Sequence, residues 1–410
     1  MYVKTTQTSC LSYFLQKLNR NYNITSMPHQ PLYISFLLAK FSAGGAQSVM
    51  VNLANSMTQK GVQVDFVVAD CEGPFFKQVS PAVNIIDLKT KKMTRSLFRL
   101  VTYLKNNRPD VLLATQKHTN IVACLIKFFP KISTRIILRP SSTPSISYQN
   151  GTIKDKIIYQ IARICYPFAD YYIGQSEGQS ADFCSFYRVS KQKIKTIPNP
   201  IISKKMIELA EEKCEHAWLE EDSPILISIG RSCVAKDFKT LIKAFAIVRK
   251  EKACRLFILG DMESEGTAIY KELKELIKAN HLEEDICFPG FVKNPFPYLR
   301  QADIYILSSI YEGLPGALIQ AMALGCNVVA TDCPNGPKEI IERGTSGILV
   351  PIRDYAALAK GMLYHLNYPT RPSYELSIFE EEYATQRYLA VIKNLLVKEE
   401  VKNLSTEIIN

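Results

Sequence analysis

Two α/β domains, each a parallel sheet covered by helices on both faces, are the architecture this sequence predicts. Three observations carry that reading. From Leu32 onward, short continuous runs of Val, Ile and Leu alternate with longer stretches of helical periodicity. Such runs are strands buried on both faces, and strand–helix alternation is the pattern of a parallel sheet. The alternation halts at the turn Pro198-Asn199-Pro200, passes through the polar, acidic stretch "EEKCEHAWLEEDSP", and starts afresh. A chain of 410 residues is long for one core and natural for two.

The elements follow in order. Residues 1–29 are polar and weakly patterned, and Met27 could serve as the start, so they read as an extension with little structure. "LYISFLLA" is the first buried strand. "GGAQSVMVNLANSMTQKG" opens on a glycine turn and continues as a helix with Val49, Leu53 and Met57 on one face, ended by Gly61. "VQVDFVVAD", "DVLLAT" and "TRIILRP" are later strands, and "IKTIPNPI" is a last strand running into a hinge near Pro198 to Ile201. That bounds a first domain at 30–200. In the second, 201–375, the strands are "ILISIG", "RLFILG", "ICFPGF", "IYILSS", "CNVVATD" and "GILVP". Within 376–410, "SIFEEEYATQRYLAVIKNLL" is a long amphipathic helix expected across the domain junction or on the first domain.

Bulk properties narrow the class. No apolar run approaches the roughly 18 residues of a membrane span, so a soluble or peripheral protein is expected. Eleven cysteines, scattered and never spaced C-x-x-C, point to reduced thiols in a cytosol, not to disulfides or zinc. Residues 1–200 hold 25 Lys/Arg against 9 Asp/Glu, a net of +16, whereas the remainder holds 25 against 30, a net of −5. A basic half beside an acidic half implies an anionic partner for the first: nucleic acid, a membrane surface or a phosphorylated substrate. The basic residues are not interleaved with aromatic platforms, which ranks nucleic acid last. In "KTKKMTRSLFRLVTYLKNNRP", Met93, Leu97, Leu100, Val101 and Leu104 form one helical face, with Lys89, Lys91, Lys92, Arg95, Arg99 and Lys105 around it. A helix of that kind docks its apolar side on a sheet and shows its charges to anionic headgroups or a polyprenyl diphosphate.

In open parallel sheets, ligands sit beyond the carboxyl ends of the strands. Three loops at such ends carry chemistry. After "ILISIG", Gly230 is followed by Arg231 and Lys236, a guanidinium fork and a point charge suited to a diphosphate. After "IYILSS", Glu312 precedes Gly313, Leu314 and Pro315 at the start of an apolar helix. Gly313 admits close approach of a ligand, Pro315 suits a first helical turn, and the helix start favours an anion. A carboxylate beside that anion suits hydroxyl groups, as in a sugar. In the first domain, Gly44 and Gly45 form a tight turn after the first strand. Neither a G-x-G-x-x-G fingerprint nor a P-loop is present.

Together these loops resemble retaining nucleotide-sugar glycosyltransferases of the GT-B fold, the large "group 1" or family four. The likeness is carried by "GGAQSVMVNLAN", "IPNP", "GRSCVAKDFKTLIKAF", "GILVP" and above all by the block from Phe288 to Ile341, and runs from about Leu32 to Leu396. It implies two Rossmann-like domains facing each other across a donor-binding cleft. It also implies transfer of a hexose or N-acetylhexosamine to a lipid-linked or polysaccharide acceptor of a surface glycan, at the inner face of the plasma membrane. By position, Arg231 and Lys236 match the basic pair on the donor diphosphate, and Glu312 the first acid of the E-x7-E motif, on the donor sugar. Gly313 and Leu314 match backbone lining the donor, and Gly45 the glycine loop reaching it from the first domain.

Three departures stand out. Gln320 occupies the place of the second acid, which bonds the ribose; an amide still accepts and donates there. "GDMESEG" at Gly260 replaces a common Gly-Asp-Gly. After "TRIILRP", where many relatives have a histidine, Arg139 and Ser141 stand instead, while His118 lies in the loop after "DVLLAT". No D-x-D flanked by an apolar strand occurs, so no metal site is expected and the cations must neutralise the leaving diphosphate, UDP being the common family nucleotide. No cofactor is expected beyond the donor. The competing reading is a nucleotide-sugar isomerase or hydrolase of the same fold, needing no acceptor.

Overall fold

The computed structural model describes residues 31–409, apart from 43, 263–266, 335 and 343–346. The extension expected at 1–29 lies outside these residues. The first sheet comprises β1 Tyr33–Leu38, β2 Gln63–Val68, β3 Asn84–Asp87, β4 Val111–Thr115, β5 Arg135–Arg139, β6 Tyr171–Gly174 and β7 Ile194–Thr196. Its order is β3-β2-β1-β4-β5-β6-β7, with every pairing parallel. The second comprises β8 Ile225–Ile229, β9 Arg255–Leu259, β10 Ile286–Gly290, β11 Ile304–Leu307, β12 Asn327–Thr331 and β13 Gly347–Val350. Its order, β10-β9-β8-β11-β12-β13, repeats the same winding, again all parallel. The winding reverses between β1 and β4 and between β8 and β11, which opens a crevice at each carboxyl edge.

The sequence reading names neither β3 nor β6. β3 is an edge strand with no fully buried residue, so it carries no apolar run. β6 spans only four residues and gives too short a signal. The helix Gly45–Gln59 buries Val49, Leu53 and Met57 on its expected face, and Gly61 supplies the positive φ (77°) that turns the chain away.

The chain passes between domains twice, side by side. Ile201 and Ile202 donate backbone hydrogen bonds of 2.9 and 3.0 Å to the Phe379 carbonyl, and Ile202 bridges Glu380 in parallel. The final helix, Glu381–Ile409, then returns to the first domain, where Ala384, Tyr388 and Ile392 are buried in its core.

The basic segment corrects an expectation. Lys89 to Lys105 is not one helix. Lys89 and Lys91 have positive φ (50° and 56°), Met93–Arg95 is a single 3-10 turn, and the α-helix spans only Leu97–Asn107. Met93, Leu100, Val101 and Leu104 do face the core, with Leu97 partly buried. Arg99 is not a free surface charge, since its guanidinium donates to the carbonyls of Leu88 and Lys89 and fastens the preceding loop. Among the described residues no helix is long and apolar enough to cross a membrane, and the ten described cysteines are free.

Candidate active site

The crevice of the second domain lies between the loops after β8 and β11, neighbouring strands paired through Ile304–Leu226 and Tyr305–Ile227. The two loops are bonded to each other. Ile310 N–H donates to the Ala235 carbonyl at 2.8 Å, and Ser308 Oγ donates to the Lys236 carbonyl at 2.7 Å. At their crest Lys236 Nζ meets Glu312 Oε1 at 2.6 Å, and Ser309 Oγ donates to the same oxygen at 2.7 Å. The pair is only partly screened from water, with side chains 23% and 14% exposed, so a ligand entering the cleft reaches both charges.

Glycine shapes this crest. A Cβ on Gly230 would stand 2.8–3.1 Å from the Lys236 stem, so the bare backbone is what lets that lysine fold back toward Glu312. Gly260 has φ +135°, and a Cβ there would meet the Gly230 carbonyl oxygen at 2.0 Å. Gly260 therefore acts in the packing of β9 against β8, beneath the loop.

Pro315 is the N-cap of the helix Gly316–Ala323 rather than a member of its first turn. No side chain caps that helix and no acid occupies its first turn. Leu314 lines a cavity of about 190 Å³ behind the cleft, together with Gln175, Glu177, Pro198 and Glu339. Gln320 lies one turn along that helix, half-buried, with no side-chain hydrogen bond among the described residues. Arg231 stands exposed two residues beyond β8. Cys333 lies in the loop after β12, where burial, and then the charge of Glu312, push its thiol up to about 12. A thiol so protonated is no nucleophile at neutral pH.

The first domain supplies the opposite wall. Gly313 comes close enough to the loop after β5 that a Cβ on it would lie 4.0 Å from the Ser141 carbonyl oxygen. Gly44 is the N-cap of the helix Gly45–Gln59, in extended geometry and without a side-chain cap. Around Gly45 an added Cβ would meet nothing within 4 Å. The structure thus brings Lys236, Glu312 and Gly313 together, and leaves Gly45 facing open space, while a Cβ on Gly44 would stand 2.8 Å from Gln47 Oε1.

The two residues held in question separate. Arg139 is 1% exposed and buried in the hinge, where it bonds Thr115 Oγ1 and the Asn199 side-chain carbonyl. It is part of the hinge and not of the cleft surface. His118 is exposed at the start of the helix Lys117–Leu125. Partial desolvation, then the adjacent Lys117 charge, hold its imidazole below the usual value and so neutral at pH 7.

Sequence reasoning missed Ser308, Ser309 and Glu339. The serines could have been read from their place at the end of β11. Glu339 could not, since its partners lie 161 and 162 residues away: both carboxylate oxygens accept, at 3.1 Å, from the N–H groups of Glu177 and Gly178 in the first domain.

Two such domains facing each other across a cleft make up the GT-B fold. Known proteins agree. Residues 223–367 match the family model "Glycosyl transferases group 1", and residues 43–204 match "Glycosyltransferase Family 4". An uncharacterised glycosyltransferase of Methanocaldococcus jannaschii is 31% identical over 61% of this chain and 62% of its own length. The N-acetylgalactosamine-N,N'-diacetylbacillosaminyl-diphospho-undecaprenol 4-alpha-N-acetylgalactosaminyltransferase of Campylobacter jejuni is 25% identical over 80% of this chain and 88% of its own. The Anabaena protein HepE, crystallised with UDP and glucose, superposes with a TM-score of 0.70 at 18% identity, covering 88% of this chain and 99% of that one. The chain belongs to the GT-B glycosyltransferases.

Proposed function

We propose that the protein is a retaining, metal-independent hexosyltransferase. It moves a hexose or N-acetylhexosamine from a nucleotide-sugar, UDP-linked, to a lipid-linked or polysaccharide acceptor of a surface glycan. Its place of action is the inner face of the plasma membrane. The observation that carries this reading is the Lys236–Glu312 pair, 2.6 Å apart beside an uncapped helix start. Similar proteins support the rest: the Campylobacter relative is named as an N-acetylgalactosaminyltransferase for a diphospho-undecaprenol-linked sugar, and HepE was crystallised with UDP and glucose.

The division of labour follows from charge. Lys236, Arg231 and the N–H groups at Gly316 stabilise the diphosphate as it leaves, with no need of a bound cation. Glu312 cannot bind that anion, so it accepts from the sugar hydroxyls and is held for the task by Ser309. Gly313 and Leu314 line the donor, Gly230 and Gly260 shape the loop beneath it, and Gln320 bonds the ribose. Gly44 and Gly45 meet the donor from the first domain. The wall at Ser141 offers a backbone carbonyl, which is not a nucleophile, so no covalent glycosyl-enzyme forms there; retention, which the family resemblance implies, then requires the acceptor to attack from the face that the diphosphate leaves.

Incubating the protein with UDP-sugars and a polyprenyl-diphosphate-linked acceptor, with EDTA, tests this. The expected product is a new α-linkage, seen by NMR as retention, with turnover unchanged by the chelator. Donor epimerised or hydrolysed equally well without acceptor would instead make the protein an isomerase or hydrolase.

A further inference from the structure

The first domain carries an apolar surface that the core does not use. The helix Ile153–Cys165 turns Tyr159, Ala162 and Cys165 inward. Its opposite side presents Ile153, Ile157, Ile161 and Ile164, between 44% and 81% exposed. Their spacing of four, four and three residues puts them on a single stripe of the helix. The stripe does not end with the helix. Phe168, just beyond, is exposed and meets exposed Phe128 edge-on at 4.9 Å. Phe129 next to it meets Phe98, which is 73% exposed, at 6.1 Å. Phe98 lies in the first turn of the helix Leu97–Asn107, which follows the basic loop, with Lys91, Lys92 and Arg95 all exposed.

Isolated exposed apolar residues need no explanation, but four exposed isoleucines on one helical stripe, followed by exposed Phe168 and Phe128, mark an interaction surface. The charge around it selects the partner. Exposed Lys131 and Lys154 flank the run, and Lys91, Lys92 and Arg95 stand at its end. The acids nearest in sequence are neutralised: Asp155 pairs with Lys117, and Asp170 with Lys127 and Arg135. A second copy of the chain would oppose lysine to lysine there. An apolar stripe with a basic rim is complementary to an anionic lipid surface, which accepts the isoleucines among its acyl chains and the cations at its headgroups.

We propose that the stripe from Ile153 to Phe168, extended through Phe128 and Phe98, is the face on which this protein rests on an anionic membrane. The inference deepens the function proposed above, on whose lipid-linked acceptor it rests. It also places the membrane usefully. The inward face of the same helix contributes Tyr159 to a cavity of about 100 Å³ shared with Ser141 and Lys117. Ser141 is the residue whose carbonyl approaches Gly313 across the cleft. One helix thus separates the lipid surface from the acceptor side of the cleft, and an acceptor held in the bilayer has a short way to the donor. Of the two features, the stripe supplies the grip and the basic loop adds the preference for anionic lipid.

Co-sedimentation with vesicles of phosphatidylglycerol and phosphatidylcholine, against vesicles of phosphatidylcholine alone, tests the proposal. The expected result is binding to the mixed vesicles that falls roughly tenfold or more in Ile157→Ser/Ile161→Ser/Ile164→Ser. A second variant, Lys91→Gln/Lys92→Gln/Lys131→Gln, is expected to lose the preference for anionic vesicles while keeping residual attachment. These side chains are exposed, so melting temperature and UDP-sugar binding should match wild type, and both are measured. Wild type that binds donor yet ignores vesicles overturns the membrane face and leaves the proposed sugar transfer standing. Vesicle binding without donor binding does the reverse. A dimer in solution that the isoleucine variant disperses, with no vesicle binding, assigns the stripe to a second copy of the chain and overturns the proposal.

Discussion

The two domains share one winding order and differ at the cleft. In the second, the loops after β8 and β11 are tied by two hydrogen bonds below an ion pair, and Ser309 fixes the carboxylate from a third direction. In the first, the turn at Gly44–Gly45 has no side-chain cap and Gly45 faces empty space. The second domain is preorganised around a charged ligand, while the first leaves room. For a transferase that division is physically sensible. The charge that develops on a leaving diphosphate needs fixed dipoles, since reorganising them during reaction costs rate. An acceptor of variable shape needs space.

The sharpest way to break the contrast is to remove the fixed charges. Lys236→Met and Glu312→Gln are each expected to lower turnover about a hundredfold, close to 2.7 kcal/mol of transition-state stabilisation. Both should keep their fold, because neither side chain belongs to a core cluster. Steady-state rates with saturating donor decide it. Turnover within twofold of wild type in both would show the crest to be a structural ion pair only.

A second test acts on what fixes the hinge turn to the first domain. Asn199 in the Pro-Asn-Pro turn accepts from buried Arg139 and donates to Gln175 Oε1 at 2.7 Å. Asn199→Ala strands a buried guanidinium and is expected to cost about 2 kcal/mol. Chemical denaturation measures that. An unchanged midpoint would mean that water takes the place of the amide.

How much of this was legible in the sequence depends on the range of the interaction. All six strands of the second domain were readable, because each is a short, mostly apolar run bounded by turn residues. So was Glu312, because its neighbours Gly313 and Pro315 mark the turn into a helix. The role of Arg139 was not: an arginine closing a strand reads as a cleft cation, and only the fold reveals Asn199 and Tyr388 packed around it. The isoleucine stripe was hidden for a different reason. In the helix Ile153–Cys165 the exposed face is at least as apolar as the buried one, so periodicity reveals a stripe without saying which side meets the core. The basic segment shows the converse. Its apolar spacing was correct at Leu100, Val101 and Leu104, but backbone turns at Lys89 and Lys91 shortened the helix, a local event that periodicity does not record.

A milder change probes the closed contact between domains. Glu339 holds the first turn of the helix Glu177–Tyr187 through two N–H groups. A carboxylate at a helix start contributes roughly 0.3–1 kcal/mol when partly exposed. Glu339→Gln should therefore raise KM for the donor about threefold with kcat little changed, if that contact favours the closed cleft. An equal loss in kcat would place Glu339 in the chemistry instead.

The smallest effect is expected at Gln320, and it sharpens the comparison most. This residue stands on the preorganised side yet makes no side-chain hydrogen bond among the described residues. If the second domain is built around the nucleotide, that idle amide is waiting for hydroxyl groups. Replacing it with Glu keeps the shape and removes the amide donor. A carboxylate accepts from a vicinal diol more strongly than an amide does, by about 1 kcal/mol at most, because part of the gain goes into stripping water from the charge. The diphosphate bound nearby opposes the new charge, and Lys236 favours it, so these two effects offset in part. Gln320→Glu should thus bind UDP equally well or up to about fivefold more tightly. The rate at saturating donor should not move, since the ribose lies far from the bond that breaks. Calorimetric titration of UDP into both proteins measures the first, and initial rates the second. Tenfold weaker UDP binding in Gln320→Glu would show that the amide donates to the nucleotide, and would move the ribose hydroxyls to another part of the cleft.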